Sequence, residues 1–167
     1  MNKVKRYLIG IISVLLLVVF DQYTKYLAVI KLKDKEPFIL IDGVLQFNYL
    51  ENTGAAWGIL SGKKILFVIV TSLILVFLIY FFVKMPLEKK YNPLKVLTII
   101  LIAGAIGNLI DRIRLNYVVD FIYFNLINFP IFNIADCYVT VSVILLIILY
   151  SFKYNDNDFD FLKFKKK

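Results

Sequence analysis

The sequence predicts an integral membrane protein that is mainly α-helical, with four transmembrane helices and a small extracytoplasmic β-rich segment between helices 1 and 2. Of its 167 residues, 60% are hydrophobic, and the mean hydropathy is +0.78, whereas soluble domains are usually about 45–50% apolar. Apolar stretches also recur at the length that a bilayer requires. The net charge is +8, and many basic residues of the chain flank these stretches, which is typical of a membrane protein.

The apolar stretches predict one membrane-embedded domain over residues 1–167. The first helix follows a short basic N-terminus and contains Asp21 and Lys25; no A-x-A cleavage site follows it, so we expect it to remain uncleaved. Residues 65–83 contain no charge and form the clearest span. The predicted helices cover about residues 7–30, 64–84, 94–112 and 133–152.

The distribution of basic residues sets the predicted orientation. Lysines and arginines before helix 1, between helices 2 and 3 and after helix 4 predict that both termini are cytoplasmic, with a mobile tail over residues 153–167. Segments 31–63 and 113–132 are then extracytoplasmic. The first contains short β-branched runs around a turn at Asp42-Gly43, which indicates a hairpin. The second is short and aromatic, which suits the membrane interface.

Composition excludes several kinds of chemistry. The chain has no histidine, which removes histidine-based triads, HExxH zinc sites and histidine proton relays. Its one cysteine, Cys137, has no partner for a disulfide within the chain and lacks a histidine base, so we interpret it as a packing residue. We expect no metal and no cofactor. The basic residues of a membrane protein serve topology and anionic-lipid contact, so we also expect no nucleic-acid partner.

Three predicted helices each carry one carboxylate to a similar depth near the outer face: Asp21, Asp111 and Asp136. Each lies roughly 22–25 Å from a cytoplasmic basic residue of its own helix, at about 1.5 Å per residue. Asp120, in the connection between helices 3 and 4, can fold back to that level. Such residues are functional candidates because inserting a charge is costly. Structural pairing also fits, of Asp21 with Lys25 four residues on, and of Asp111 with Arg112.

Asp120 and Asp136 lie in a segment, residues 118–140, that is otherwise almost wholly apolar and aromatic. Each can simply cap a helix or face water. If they face each other, two like charges at close range cannot both ionise, and the pair shares a proton. One carboxylate then acts as general base on a water, and the other polarises a peptide carbonyl and donates a proton. That is aspartic-protease chemistry.

Five motifs follow one another along the chain: FDQYTK (20–25), ENTGAAWG (51–58), AGAIGNLIDR (103–112), VVDF (118–121) and FNIAD (132–136). Together they resemble the successive signatures of lipoprotein signal peptidase, or signal peptidase II, a family of aspartic endopeptidases of the bacterial inner membrane. The resemblance covers essentially the whole chain. It implies that the protein cleaves the signal peptide of prolipoproteins just before a diacylglyceryl-modified cysteine, near the extracytoplasmic face.

The resemblance also implies roles for individual residues. The catalytic dyad is Asp120 and Asp136. The residues that bind substrate or support the site are Asn52, Gly54, Asn108, Arg112 and Asn133. The residues that brace the surrounding helices are Asp21, Lys25 and Asp111. The implied partners are lipid-modified prolipoproteins and membrane lipids, and we expect a monomer because one chain can assemble the dyad.

Three alternatives use some of the same residues. A small proton- or cation-coupled transporter could use the membrane carboxylates with Lys25 and Arg112, although the acids gather at one face and leave no relay to the cytoplasm. A membrane scaffold without enzymatic activity would tolerate loss of both aspartates of the dyad. A serine–lysine peptidase could use Ser61 with Lys63 or Lys64, although nothing buries those lysines to lower their pKa.

Overall fold

The computed structural model of the protein describes residues 2–54 and 62–163. These residues form a helical bundle with a small sheet at one end. The helices and strands, in chain order, are α1 (Lys3–Leu32), β1 (Phe38–Ile41), β2 (Leu45–Asn52), α2 (Lys64–Lys84), α3 (Asn92–Leu115), β3 (Val118–Phe124) and α4 (Ile134–Lys153). Helix α2 has the predicted bounds, and the ends of the other helices differ from prediction by one to four residues.

Three of the described helices are long and apolar enough to cross a membrane, namely α2, α4 and the stretch Lys89–Leu115 that contains α3. A mainly helical membrane fold with a small sheet is therefore supported. Helix α1 is not among the three, so the count of four spans remains a prediction. It is nevertheless 30 residues long, and exposed apolar side chains such as Leu8, Leu15 and Val19 line its surface.

Helix α3 lies at the centre of the bundle and packs against α1, α2 and α4. Two glycines allow this close packing. A Cβ atom on Gly104 would lie 2.6 Å from the carbonyl oxygen of Ala135 in α4, and one on Gly107 would lie 2.5 Å from Asp21 Oδ2 in α1. Any larger residue at these two positions would separate the helices that carry the predicted site.

The sheet contains the predicted hairpin and one strand that the sequence analysis missed. Strands β1 and β2 pair antiparallel around the turn at Asp42-Gly43, where Gly43 has a φ of +67°. Strand β3 comes from the second connection, which was predicted only as an aromatic segment, and pairs antiparallel with β2. Its first four residues, the VVDF motif, are buried. This pairing sets Leu50 opposite Asp120 and Asn52 opposite Val118.

The bundle has two distinct ends. Strands β1 to β3 lie at the sheet end, and the start of α1 at Lys3 and the end of α4 at Lys153 lie at the opposite end, which we call the terminal end. At the terminal end, the prediction of a mobile tail is wrong for the part of the tail that the structure describes. A 3-10 helix, Asp156–Leu162, packs its Phe161 ring against Phe81 and Tyr91, with ring centroids 5.8 and 5.7 Å apart. Aromatic residues of the tail thus gain apolar contacts that offset the entropy of ordering it. Residues 164–167 lie outside the described part.

Arg6 joins two helices at the terminal end. Its guanidinium is buried and donates hydrogen bonds to the carbonyl oxygens of Met85 and Val83, at 2.5 and 2.9 Å, where α2 ends. A cation at this point also complements the negative end of the helix dipole. Arg6 therefore holds the start of α1 against the end of α2.

We expect Arg6→Gln to destabilise the folded protein by about 1–3 kcal/mol, because it leaves buried carbonyl groups without their charged donor. In detergent, the midpoint of thermal unfolding should fall by about 5 °C. The matched control is Lys5→Gln, at an exposed neighbour. Equal midpoints for the two variants would contradict this role for Arg6.

Candidate active site

At the sheet end of the bundle, a buried lysine lies between two buried carboxylates. Lys25 Nζ is 3.0 Å from Asp21 Oδ2 and 3.0 Å from Asp111 Oδ2, and all three side chains are at most 3% exposed. The predicted pairing of Asp21 with Lys25 is therefore confirmed. The alternative pairing of Asp111 with its neighbour Arg112 is wrong: Asp111 points toward α1 and pairs with Lys25.

The two carboxylates also hold the backbone of other elements. Asp21 Oδ1 accepts a hydrogen bond from the N–H of Ala135 in α4 at 2.9 Å, and Asp111 Oδ2 accepts one from the N–H of Val119 in β3 at 3.2 Å. Ala135 and Val119 each directly precede one aspartate of the predicted dyad. A single ion-pair cluster therefore anchors both peptide segments that carry the dyad.

Asp136 stands in the first turn of α4, where it forms a capping box with Asn133. The N–H of Asp136 donates to Asn133 Oδ1 at 3.0 Å, and the N–H of Asn133 donates to Asp136 Oδ2 at 3.1 Å. The spacing of three residues in FNIAD is that of a capping box. Its other oxygen, Oδ1, accepts a hydrogen bond from Asn108 Nδ2 at 2.7 Å. Asp136 therefore caps its helix and is held from α3 as well.

Asp120 lies on β3 with only 1% of its surface exposed. Its Oδ2 accepts a hydrogen bond from Asn52 Nδ2 at 2.8 Å, and its Oδ1 accepts one from Asn133 Nδ2 at 2.6 Å. Burial, and next the negative charge of Asp136, raise the pKa of Asp120 to about 7, although the two amide hydrogen bonds act in the opposite direction. Asn133 thus contacts both carboxylates, through its backbone and its side chain.

Asn108 connects the lysine cluster to the dyad. Its Oδ1 accepts hydrogen bonds from Lys25 Nζ at 2.9 Å and from Asn133 Nδ2 at 3.1 Å, so its amide nitrogen is directed toward Asp136. The positive charge of Lys25 thereby determines which atom of the Asn108 side chain faces the carboxylate.

Arg112 connects α3 to the strand end that carries Asn52. It donates to the carbonyl oxygen of Gly54 at 3.3 Å, and the N–H of Gly54 donates to Asn52 Oδ1 at 2.9 Å. The guanidinium also lies 4.7 Å from the centre of the Phe67 ring on α2. The remainder of the ENTGAAWG motif and Ser61 lie outside the described residues.

A cavity of about 540 Å³, which we call the dyad cavity, brings most of the predicted site together. Its polar wall contains six of the predicted site residues: Asn52, Gly54, Asn108, Arg112, Asp120 and Asp136. The rest of the wall is mainly apolar: Val118, Phe124, Ile127, Phe129, Pro130, Ile131, Phe132, Cys137, Thr140 and Val141. Asn133 and the Lys25 cluster do not line it but lie behind it, so they support the site without reaching the cavity.

Two contributors were missed from the sequence. Gln22 donates from Nε2 to Asp111 Oδ1 at 2.9 Å and to Asp21 Oδ2 at 3.2 Å, and so completes the buried cluster. Its place beside Asp21 in the FDQYTK motif was an available signal. Phe67 lies in an unbroken apolar helix, where nothing in the sequence distinguishes it from its neighbours.

Comparison with known proteins gives one consistent result. The family described as Signal peptidase (SPase) II matches residues 13–152. Lipoprotein signal peptidases of Staphylococcus aureus strains JH9 and Newman are each 47% identical over 149 residues, covering 86% of this chain and 90% of theirs. Two solved structures, each described as a bacterial membrane enzyme, match with TM-scores of 0.76 and 0.74 at 42% and 43% identity. They cover 88% and 87% of this chain and 92% and 94% of their own.

We expect Lys25→Met to destabilise the fold by about 3–5 kcal/mol, because it leaves two buried carboxylates without their cation. The thermal midpoint in detergent should fall by about 10 °C or more. Lys33→Met is the matched control, since Lys33 pairs with Glu51 at the exposed surface, where an ion pair contributes little. Comparable losses in the two variants would refute a special role for the buried lysine.

Proposed function

Because this chain belongs to the signal peptidase II family, whose members remove signal peptides from prolipoproteins, we propose that it is an aspartic endopeptidase that cuts just before a diacylglyceryl-modified cysteine. The observation that carries the proposal is the convergence of Asp120 and Asp136 on one cavity, with Asn133 bonded to both. No histidine exists in the chain to serve as an alternative base.

The two aspartates take different roles because their surroundings differ. Asp136 stands in the first turn of α4 and lines the dyad cavity, and it accepts a hydrogen bond at each carboxylate oxygen. Asp120 is buried in a strand, and its pKa of about 7 keeps a proton available at neutral pH. Asp136 is then the general base that activates a water, and Asp120 is the acid that polarises the scissile carbonyl and protonates the leaving amine.

The apolar wall of the dyad cavity supports a lipid-modified substrate. Phenylalanine, isoleucine and valine side chains from the connection before α4, and from α4 itself, face the same space as the two carboxylates. Acyl chains and the end of a signal helix can bury apolar surface there, at about 25 cal/mol per Å². Hydrophobic anchoring then selects the substrate and brings its peptide bond to the dyad.

The orientation follows from charge. We propose that α1 is the fourth span, that both termini face the cytoplasm of a bacterial cell, and that the site lies near the extracytoplasmic face. The apolar exposed surface of α1 supports the span. One chain supplies every residue of the proposed dyad and its supports, which favours a monomer. The transporter alternative gains no support, since the buried carboxylates of the described residues all lie at the sheet end.

We expect Asp120→Asn and Asp136→Asn each to lower cleavage of a diacylglyceryl prolipoprotein by about a thousandfold, because each removes a proton-transfer group. Mass spectrometry of the products locates the cut, and a thermal melt verifies that each variant is folded. Asp42→Asn, in the exposed turn of the hairpin, is the matched control and should cleave normally. A folded dyad variant with normal activity would refute the mechanism.

The pKa of Asp120 predicts the pH dependence. The acid must hold its proton, so kcat/KM should decline as the pH rises through about 7. The hydrogen bond from Asn52 lowers the pKa of Asp120, so Asn52→Ala should move the alkaline limb to higher pH. A limb that moves to lower pH in this variant would contradict the assignment of Asp120 as the acid.

A further inference from the structure

A second cavity, of about 560 Å³, lies beside the dyad cavity on the side of the sheet, and we call it the outer cavity. The two cavities share one stretch of wall: Asn52, Gly54, Phe129, Pro130 and Ile131. They therefore meet at Asn52, whose amide donates to Asp120. A substrate chain that leaves the dyad cavity along this shared wall enters the outer cavity.

The outer cavity differs from the dyad cavity in chemistry. The residues that line only the outer cavity come from β2 and the residue after it, from β3 and from the connection after β3: Asn48, Leu50, Glu51, Thr53, Tyr123 and Asn128. Five of these six residues carry polar side chains. In the dyad cavity, by contrast, the ten lining residues other than the predicted site residues are mainly apolar. One cavity therefore suits acyl chains and an apolar helix, and the other suits a hydrated polypeptide.

Two asparagines present hydrogen-bonding groups in the outer cavity. Asn48 lies where the register of β2 and β3 shifts between Phe47 and Leu50, and such a bulge redirects a side chain and leaves backbone groups unpaired. The side-chain amide of Asn48 has no hydrogen-bond partner among the described residues. Asn128 Oδ1 accepts a hydrogen bond from Tyr123 at 2.6 Å, which directs the donor nitrogen of that amide away from Tyr123. An extended peptide offers both the carbonyl and the N–H groups that such amides bind.

We propose that the outer cavity is the subsite for the residues that follow the modified cysteine, on the mature side of the cut. This inference rests on the proposed function, and it adds a part of the substrate that the dyad cavity does not accommodate. The mature chain leaves Asp120 past Asn52 and lies along β2, where Asn48 and Asn128 bind its backbone. Backbone recognition accepts many sequences, because every residue after the cysteine carries the same peptide groups.

The experiment compares two lipopeptides with the same signal region and the same diacylglyceryl cysteine. The long peptide carries six residues after the cysteine, and the short peptide ends at the cysteine, with its carboxyl group as an amide. For the unmodified enzyme, kcat/KM should be about fivefold higher or more for the long peptide, as expected for two gained hydrogen bonds. In Asn48→Ala/Asn128→Gly this ratio should fall toward one. Asn125→Ala, at an exposed residue that lines neither cavity, should keep the ratio of the unmodified enzyme.

Each outcome decides the matter. A ratio near one for the unmodified enzyme, or an unchanged ratio in the double variant, overturns the subsite while leaving the proposed function in place. An unmodified enzyme that cuts neither peptide overturns both. A second measurement does not depend on folding of the double variant. The long peptide, carrying a photo-crosslinking residue two positions after the cysteine, is bound to the Asp120→Asn enzyme and irradiated. Adducts within residues 48–53 or 123–128 support the subsite, and adducts confined to α4 overturn it.

Discussion

The contact of Lys25 with Asp21 and Asp111 is the interaction on which the remaining structure of the site depends. Burying one cation and two carboxylates is favourable only when the remaining charge is satisfied by hydrogen bonds. The backbone N–H groups of Ala135 and Val119 supply those bonds. The cluster thus requires α4 and β3 to approach α1 and α3 in one arrangement, and this arrangement places Asp120 and Asp136 at the same cavity.

This arrangement also constrains the size of the residues around it. Gly107 has no side chain, so the carboxylate of Asp21 can pass α3 and reach the start of α4. Gly104 lets α4 approach α3 at the level of the Ala135 carbonyl. Small residues are the usual means of close helix packing in membranes. Here they also allow a polar cluster to exist inside an apolar bundle, because they bring its donors and acceptors within hydrogen-bonding distance.

The asymmetry of the site follows from the elements that carry it. Asp120 lies on a buried strand, whereas Asp136 stands in the first turn of a helix, so the two carboxylates of the proposed dyad have different surroundings. The cavities on either side of Asn52 are asymmetric as well, one largely apolar and one polar. The proposed substrate, which changes from a lipid-modified helix to a hydrated chain at the cut, has the same asymmetry. Asn52 bonds to Asp120 and lines both cavities, so it belongs both to the proposed dyad site and to the proposed subsite.

Features that depend on local chemistry follow from the sequence alone. Composition predicts the apolar helices, the helical rise predicts a similar level for three carboxylates, and the spacing of four predicts the Asp21–Lys25 pair. By contrast, three features depend on contacts of the folded chain: Asp111 pairs with Lys25, VVDF forms the third strand, and the C-terminal segment packs against the bundle. Those contacts join residues far apart in the chain. Their energies depend on how closely helices and strands approach, which no local pattern encodes.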